Sequence, residues 1–159
     1  MRNAPVTREA LFERVQAAWD HARDGRPMPR RQDIDAVKLG TFLPYVGLMD
    51  VIPGESLDLR YRLVGGQTTQ SFGFDLTGHI HSEVTGEQNS HFLAACRRCI
   101  ETRLPQTLEI AQGRNKKDLP FQVTARIWPL SEDGTTVTGF LGGAVFRQLP
   151  PAAPNPPPS

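Results

Sequence analysis

The sequence predicts an α+β domain: one five-stranded antiparallel sheet with helices on one face, plus an N-terminal amphipathic helix. Three observations carry this. Two strand-like runs, residues 45–52 and 57–64, flank the turn Pro53-Gly54-Glu55-Ser56 at a spacing suited to an antiparallel hairpin. Three further runs, 106–112, 119–130 and 136–148, follow with polar turns between them. Two stretches of helical periodicity, one before the hairpin and one before the last three runs, supply the second layer.

The chain has 159 residues, the length of one ordinary domain that can bury a core without metals or disulfides. Hydrophobic residues make up 38% and charged residues 22%, a globular balance, while 14 Gly and 14 Pro imply many turns. The 18 basic and 17 acidic residues nearly cancel to +1, which leaves no overall pull toward nucleic acid or a membrane surface. The first residues carry Arg2, Arg8, Glu9, Glu13 and Arg14 and no continuous apolar run, so neither a signal peptide nor a span is expected and the location is read as cytoplasmic. In a reducing compartment Cys96 and Cys99 stay thiols.

The organisation reads as residues 1–32 for the N-terminal helix and an Arg/Pro crossing, 33–149 for the domain proper, and 150–159 for a disordered Pro-rich tail, PPAAPNPPPS. From Thr7 to Arg23 the apolar residues Leu11, Phe12, Val15, Ala18, Trp19 and Ala22 recur at helical spacing, with Thr7 as N-cap and Gly25 and Pro27 at the far end. This stripe either packs on the sheet or pairs with a second subunit, in which case Phe12, Val15 and Trp19 form a dimer helix. Residues 22–31, ARDGRPMPRR, hold four arginines and two prolines and predict an exposed crossing. Asp33 or Asp35 caps a short helix that ends at Leu43-Pro44.

In the hairpin's second strand Leu57, Leu59, Tyr61 and Leu63 alternate with Asp58, Arg60, Arg62 and Val64, so one apolar row faces the core. Gly65-Gly66 breaks the strand, 67–72 allows a turn or two of helix, and Asp75-Leu76-Thr77-Gly78 has turn composition. Thr85 and Gln88 form a capping box for a helix reaching Thr102, with Phe92, Leu93, Cys96, Cys99 and Ile100 as its stripe. In the later strands Phe121, Val123, Ala125 and Ile127 share one face.

This order resembles a PAS domain, and the resemblance extends to residues. DIDAVKLGTFLPYVGLMDV followed by LRYRLVGGQTTQSFGFDLTG is similar to a family of small bacterial PAS-like proteins with a DIDP, LP, DV, RYRLVG, G-D-TG pattern, over roughly Trp19 to Phe146. Arg60-Tyr61-Arg62-Leu63-Val64-Gly65 and Gly73-Phe74-Asp75-Leu76-Thr77-Gly78 are its most specific pieces, and Ala36 stands where the pattern has Pro. The resemblance implies a stand-alone sensory or regulatory module that acts through protein contacts, a homodimer whose partner is a signalling protein such as a sensor kinase. The alternative it implies is a sensor with an occupied cavity between sheet and helices, lined by Tyr61, Leu63, Phe72, Phe92, Cys96, Val123, Ala125 and Leu141. The cofactor is unknown.

The chemistry-bearing residues are read against that background. Cys96-Arg97-Arg98-Cys99 lies about three turns inside its helix, away from the N-terminus where a dipole activates a thiol, and is read as packing. A flavin photo-adduct would need a cysteine in a dedicated motif before the short helices, and none stands there. Haem ligation by a helix histidine would fall to His91, which lies on a different helix face from Cys96, so no metal site is assigned. His79 and His81 are expected as solvated imidazoles on one side of an extended segment. Asp50, Asp75 and Glu83 each have a structural use at a strand end or turn, and Gly65-Gly66 lacks the Lys-Ser/Thr of a phosphate loop. No enzymatic activity is expected.

Overall fold

A computed structural model describes residues 6–85, 90–115 and 117–150. The element order is α1 (Arg8–Arg23), α2 (Ala36–Leu39), β1 (Val46–Ile52), β2 (Asp58–Val64), α3 (Gly66–Phe72), α4 (His81–Thr85), α5 (Ser90–Thr102), β3 (Gln106–Arg114), β4 (Pro120–Leu130) and β5 (Gly139–Gln148). The capping box between Thr85 and Gln88 and the Pro-rich tail reach into residues outside the described ones.

The five strands form one antiparallel sheet in the order β2-β1-β5-β4-β3, so the first hairpin and the final meander meet where β1 pairs with β5. Side-chain alternation then gives each face its own partner. A side chain at Gly142 would point toward Met49 and Ile127, whereas one at Gly143 would point toward Leu11 and Val15 of α1. The sheet is therefore covered on both faces: α1 on one, and α3, α4 and α5 on the other.

On the α1 face the amphipathic stripe is spent within the chain. Thr7 caps the helix by accepting from the Ala10 N–H at 3.2 Å, and Asp24 closes it in the left-handed region at φ 49°. Leu11, Phe12, Val15, Ala18 and Trp19 are all buried in the common core. Phe12 meets Trp128 edge-on at 6.2 Å, the Trp19 indole donates to the Pro129 carbonyl at 2.9 Å, and the Trp128 indole donates to Gln16 Oε1 at 2.8 Å. This corrects the dimer-helix expectation for Phe12, Val15 and Trp19. Their apolar surface is satisfied by the chain's own sheet, and none of it is left for a second subunit.

The Arg/Pro crossing is corrected as well. Met28 and Pro29 are fully buried, and the Pro29 carbonyl accepts from the Ser131 N–H at 2.9 Å. Arg26 and Arg30 both reach Asp33, at 2.8 and 3.0 Å, and these bonds hold its carboxyl well below the usual range. Asp35 is the α2 cap, accepting from the Val37 N–H at 2.9 Å. Arg31 and Arg62 both ion-pair with Asp50. The cationic stretch is thus tied down by internal carboxylates. Among the described residues no helix is long and apolar enough to cross a membrane.

Candidate functional site: a cavity under the sheet with a buried tyrosine-histidine pair

The face opposite α1 is not fully packed. A cavity of about 600 Å³ lies between the sheet and α3–α5. Its apolar wall includes Met49 from β1, Ile110 from β3, Val123 and Ile127 from β4, and Phe146 from β5, with Phe72 and Phe92 from the helices. The alternation of β4 explains the wall, because Phe121, Val123, Ala125 and Ile127 all fall on the cavity face and Trp128 turns to α1.

Of the eight residues expected to line a cavity, Tyr61, Leu63, Phe72, Phe92, Val123 and Ala125 do so. Leu63 sits half exposed at 50%, just beyond a register shift of the β1–β2 ladder between Leu48 and Met49. The other two belong elsewhere. Leu141 is fully buried, but it pairs across the sheet with Trp128 and so shares that residue's face, opposite the cavity. Cys96 is fully buried in the inner face of α5 and contributes packing rather than cavity wall. Burial pushes the Cys96 thiol well up and the Cys99 thiol to about 12, so neither is a thiolate at neutral pH.

The polar feature of the cavity is a pair that sequence reasoning divided. The Tyr61 hydroxyl and His81 Nδ1 are 2.7 Å apart, and both residues line the cavity. His81, expected as a solvated imidazole, is only 2% exposed, whereas His79 is the exposed one and rests edge-on against Phe74 at 5.4 Å. His91 is also exposed and does not line the cavity, so a haem ligand from that position is not built.

The local structure shows why His81 arrives beside Tyr61. The α3 helix ends at Gly73, whose φ of 101° is the left-handed cap a glycine accepts without strain. Asp75 then stabilises a turn by accepting from the Thr77 N–H at 3.0 Å. Past that turn the chain runs back along the edge of β2: the Gly78 N–H donates to the Tyr61 carbonyl, the Tyr61 N–H donates to the His79 carbonyl, and Ile80 bridges Arg60. This covers the open edge of β2 and delivers His81 one residue later.

Asp58 completes the fixation. Its carboxylate accepts from both the N–H and the hydroxyl of Ser82, which holds the first turn of α4 against β2. Although burial opposes ionisation of Asp58, these bonds and one from the Leu59 N–H keep its pKa lowered. The His81 ring lies between Tyr61, at 5.9 Å between centroids, and Phe92, at 5.0 Å. Burial pulls the His81 pKa down to about 4, with Asp58 acting weakly in the opposite sense, and burial raises that of the Tyr61 phenol. Both groups are therefore neutral near pH 7. Neither the GFDLTG turn nor the histidine count reveals this pairing in the sequence; the available signal was Ile80, an apolar residue beside a turn, marking the segment as packed rather than solvated.

Arg114, Asn115 and Asp118 stand at another part of the lining, where the Arg114 guanidinium lies 3.5 Å from the Asp118 carboxylate. Asn115 donates to the Ser71 carbonyl at 3.2 Å and so ties the β3–β4 turn to α3. Among the described residues no group of three His, Cys, Asp or Glu side chains is placed to hold a metal ion.

Comparison with known proteins agrees with this architecture. No curated protein matches the sequence. Among solved structures, the LOV protein of Rhodobacter sphaeroides is similar in fold, with a TM-score of 0.51 at 15% identity over 92% of this chain and 70% of that one. The light-state LOV domain of the blue-light photoreceptor aureochrome 1 is similar with a TM-score of 0.50 at 9% identity, over 73% of this chain and 88% of its own. At such identities the likeness establishes the fold alone. A family model described as PAS domain matches residues 7–145, which takes in α1 as well as the sheet and the cavity helices. The chain belongs to the PAS-domain family.

Proposed function

We propose that this protein is a sensory module of bacterial signalling that takes a small molecule into the cavity between sheet and helices and passes its occupancy to a separate protein. The observation that carries the reading is the cavity itself. Its volume of about 600 Å³ falls within the range of small-molecule sites, and it combines an apolar wall with a few fixed polar groups. A domain of this size that needed only a protein-binding surface would gain stability by filling that space.

Membership of the PAS family supports a regulatory role, with a signalling protein such as a sensor kinase as the partner that reads the domain. A second copy of the chain is a further partner class, through a surface other than the α1 stripe. The reading gives the domain no chemistry of its own: Asp50 is held by two arginines and Asp75 by its own turn, so both acids have structural work.

Native mass spectrometry of the purified protein, with an absorbance spectrum of the same sample, tests the reading. The expected result is a mass above that of the chain, shed on denaturation, or uptake of an added neutral aromatic compound. A bare chain mass together with no uptake of any such compound would leave only the partner-binding role.

A further inference from the structure

We infer that the cavity's ligand is an uncharged, mostly apolar molecule bearing a hydroxyl or a comparable hydrogen-bonding group, and that the Tyr61 hydroxyl, held in place by His81, is the anchor that reads it. The inference rests on the proposal that the cavity is occupied, and it specifies the chemistry of the occupant.

The first ground is charge. The arginine and aspartate side chains among the described lining residues are accounted for without a ligand. Arg114 pairs with Asp118 and also donates to the Asp118 carbonyl at 2.8 Å. Arg126 contributes to the lining from β4, but its guanidinium sits 5.2 Å over the Phe12 ring on the α1 side and its Nε donates to Thr107 at 2.7 Å. The Tyr61–His81 pair is neutral near pH 7 because burial disfavours both charged forms. A charged ligand seated against the apolar wall would meet only charges that already have partners within the chain, which is disfavoured.

The second ground is the anchor. A phenol has one donor hydrogen and two acceptor lone pairs, and the Tyr61 hydroxyl spends one of these capacities on His81 at 2.7 Å. A further bond remains available on the hydroxyl of a residue that lines the cavity. The group is also preorganised: the β2 ladder fixes the tyrosine backbone, and Asp58, Ser82 and the Phe92 ring fix the histidine. Little rotamer freedom is left to lose on binding, and a ligand hydroxyl, which both gives and accepts, matches either tautomer of the pair.

The test is a matched series on one ring system: naphthalene, 2-naphthol and naphthalene-2-carboxylate at pH 7.5, titrated into the purified full-length protein by calorimetry or ligand fluorescence. The expected order is 2-naphthol tightest, by about ten-fold or more over naphthalene, with the carboxylate weakest, because a buried polar anchor left unpaired is penalised. In Tyr61→Phe, checked for folding by circular dichroism, the preference for 2-naphthol should fall to within about three-fold. Should that variant not fold, Tyr45→Phe leaves Tyr61 as the sole tyrosine of two. The ¹³Cζ resonance of Tyr61 should then move with 2-naphthol and not with naphthalene.

The outcomes separate cleanly. Equal binding of naphthalene and 2-naphthol, or a preference that survives in Tyr61→Phe, overturns the anchor and leaves an occupied cavity standing. Carboxylate binding as tight as that of 2-naphthol overturns the uncharged ligand. No binding of any of the three to protein whose native mass is that of the bare chain removes the cavity reading along with the inference.

Discussion

The two faces of the sheet are built to different standards. On the α1 side every large group has a close partner: Phe12 against Trp128, the Trp19 indole on the Pro129 carbonyl, the Trp128 indole on Gln16. On the other side, side chains of the same strands surround a volume of about 600 Å³. A strand alternates its residues between these faces, so Ile127 and Trp128, adjacent in sequence, serve opposite ends. The difference teaches that stability is concentrated on the α1 face, while the α3–α5 face gives up packing to keep a site.

The strongest way to break this comparison is to attack α1. Trp19 is 4% exposed and its indole hydrogen bond is buried. Trp19→Glu removes a large aromatic contact and places a carboxylate in the core, a loss on the order of 4 kcal/mol or more, comparable to the whole stability of a small domain. The expected outcome is loss of the cooperative urea transition and of the near-ultraviolet circular dichroism. A stable, folded Trp19→Glu monomer would show instead that α1 serves an interface and not the core.

A second experiment reads the cavity face through pH. The His81 imidazole ordinarily titrates at 6.5 and is pulled down to about 4 in the fold, by burial first, against a weaker opposing pull from Asp58. The unfolded chain therefore binds this proton at a pH where the folded chain refuses it, so stability falls as pH drops from about 6.5 to about 4. Each pH unit in that window is worth about 1.4 kcal/mol, giving a total on the order of 3 kcal/mol. Urea midpoints measured from pH 7.5 to 4 should show this slope in the wild type and lose it in His81→Gln. Losses below the window come from carboxylates held under their usual range by bonds that protonation breaks, Asp33 and Asp133 most strongly, with Asp58 and Asp75 beside them. An unchanged slope in His81→Gln would mean that the histidine is solvated and the pair with Tyr61 does not form.

Much of this fold was legible because it follows from period and punctuation. The helical stripe from Leu11 to Ala22, the alternation of β4, the turn at Pro53-Gly54 and the polar turn between the runs 119–130 and 136–148 each set an element nearly to its ends. Of the six cavity residues, Tyr61, Leu63, Val123 and Ala125 followed from strand alternation, and Phe72 and Phe92 from the helical stretches. The failures share one cause, which is that pattern assigns a residue to a buried side without saying which buried side. Leu141 is as apolar as a cavity residue should be, yet only the register Trp128↔Leu141 puts it on the far face. Met28 and Pro29 are buried in a segment whose four arginines suggested solvent, because Asp20, Asp33 and Asp50 neutralise those charges from outside the segment. His81 was unreadable for a related reason: its partners Tyr61 and Asp58 lie about twenty residues away, and the pairing depends on residues 78–80 adding to the edge of β2.

The smallest effects sharpen the comparison most directly, since they ask each face to accept the same added bulk. A side chain at Gly143 points at α1, where its Cβ would already lie 3.5 Å from Leu11 and 3.7 Å from Val15. Gly143→Val must displace both, an overpacking cost of about 1 to 3 kcal/mol. Ala125 lines the cavity, so the two methyl groups added in Ala125→Val enter open space, and the change in stability should stay within about 1 kcal/mol of zero, with a gain as the favoured sign. The same substitution should weaken uptake of 2-naphthol by shrinking the site. Paired thermal melts of the two variants decide the matter: comparable losses in both would mean that the α3–α5 face is as tightly packed as the α1 face, and that the space assigned to a ligand is already filled by the protein.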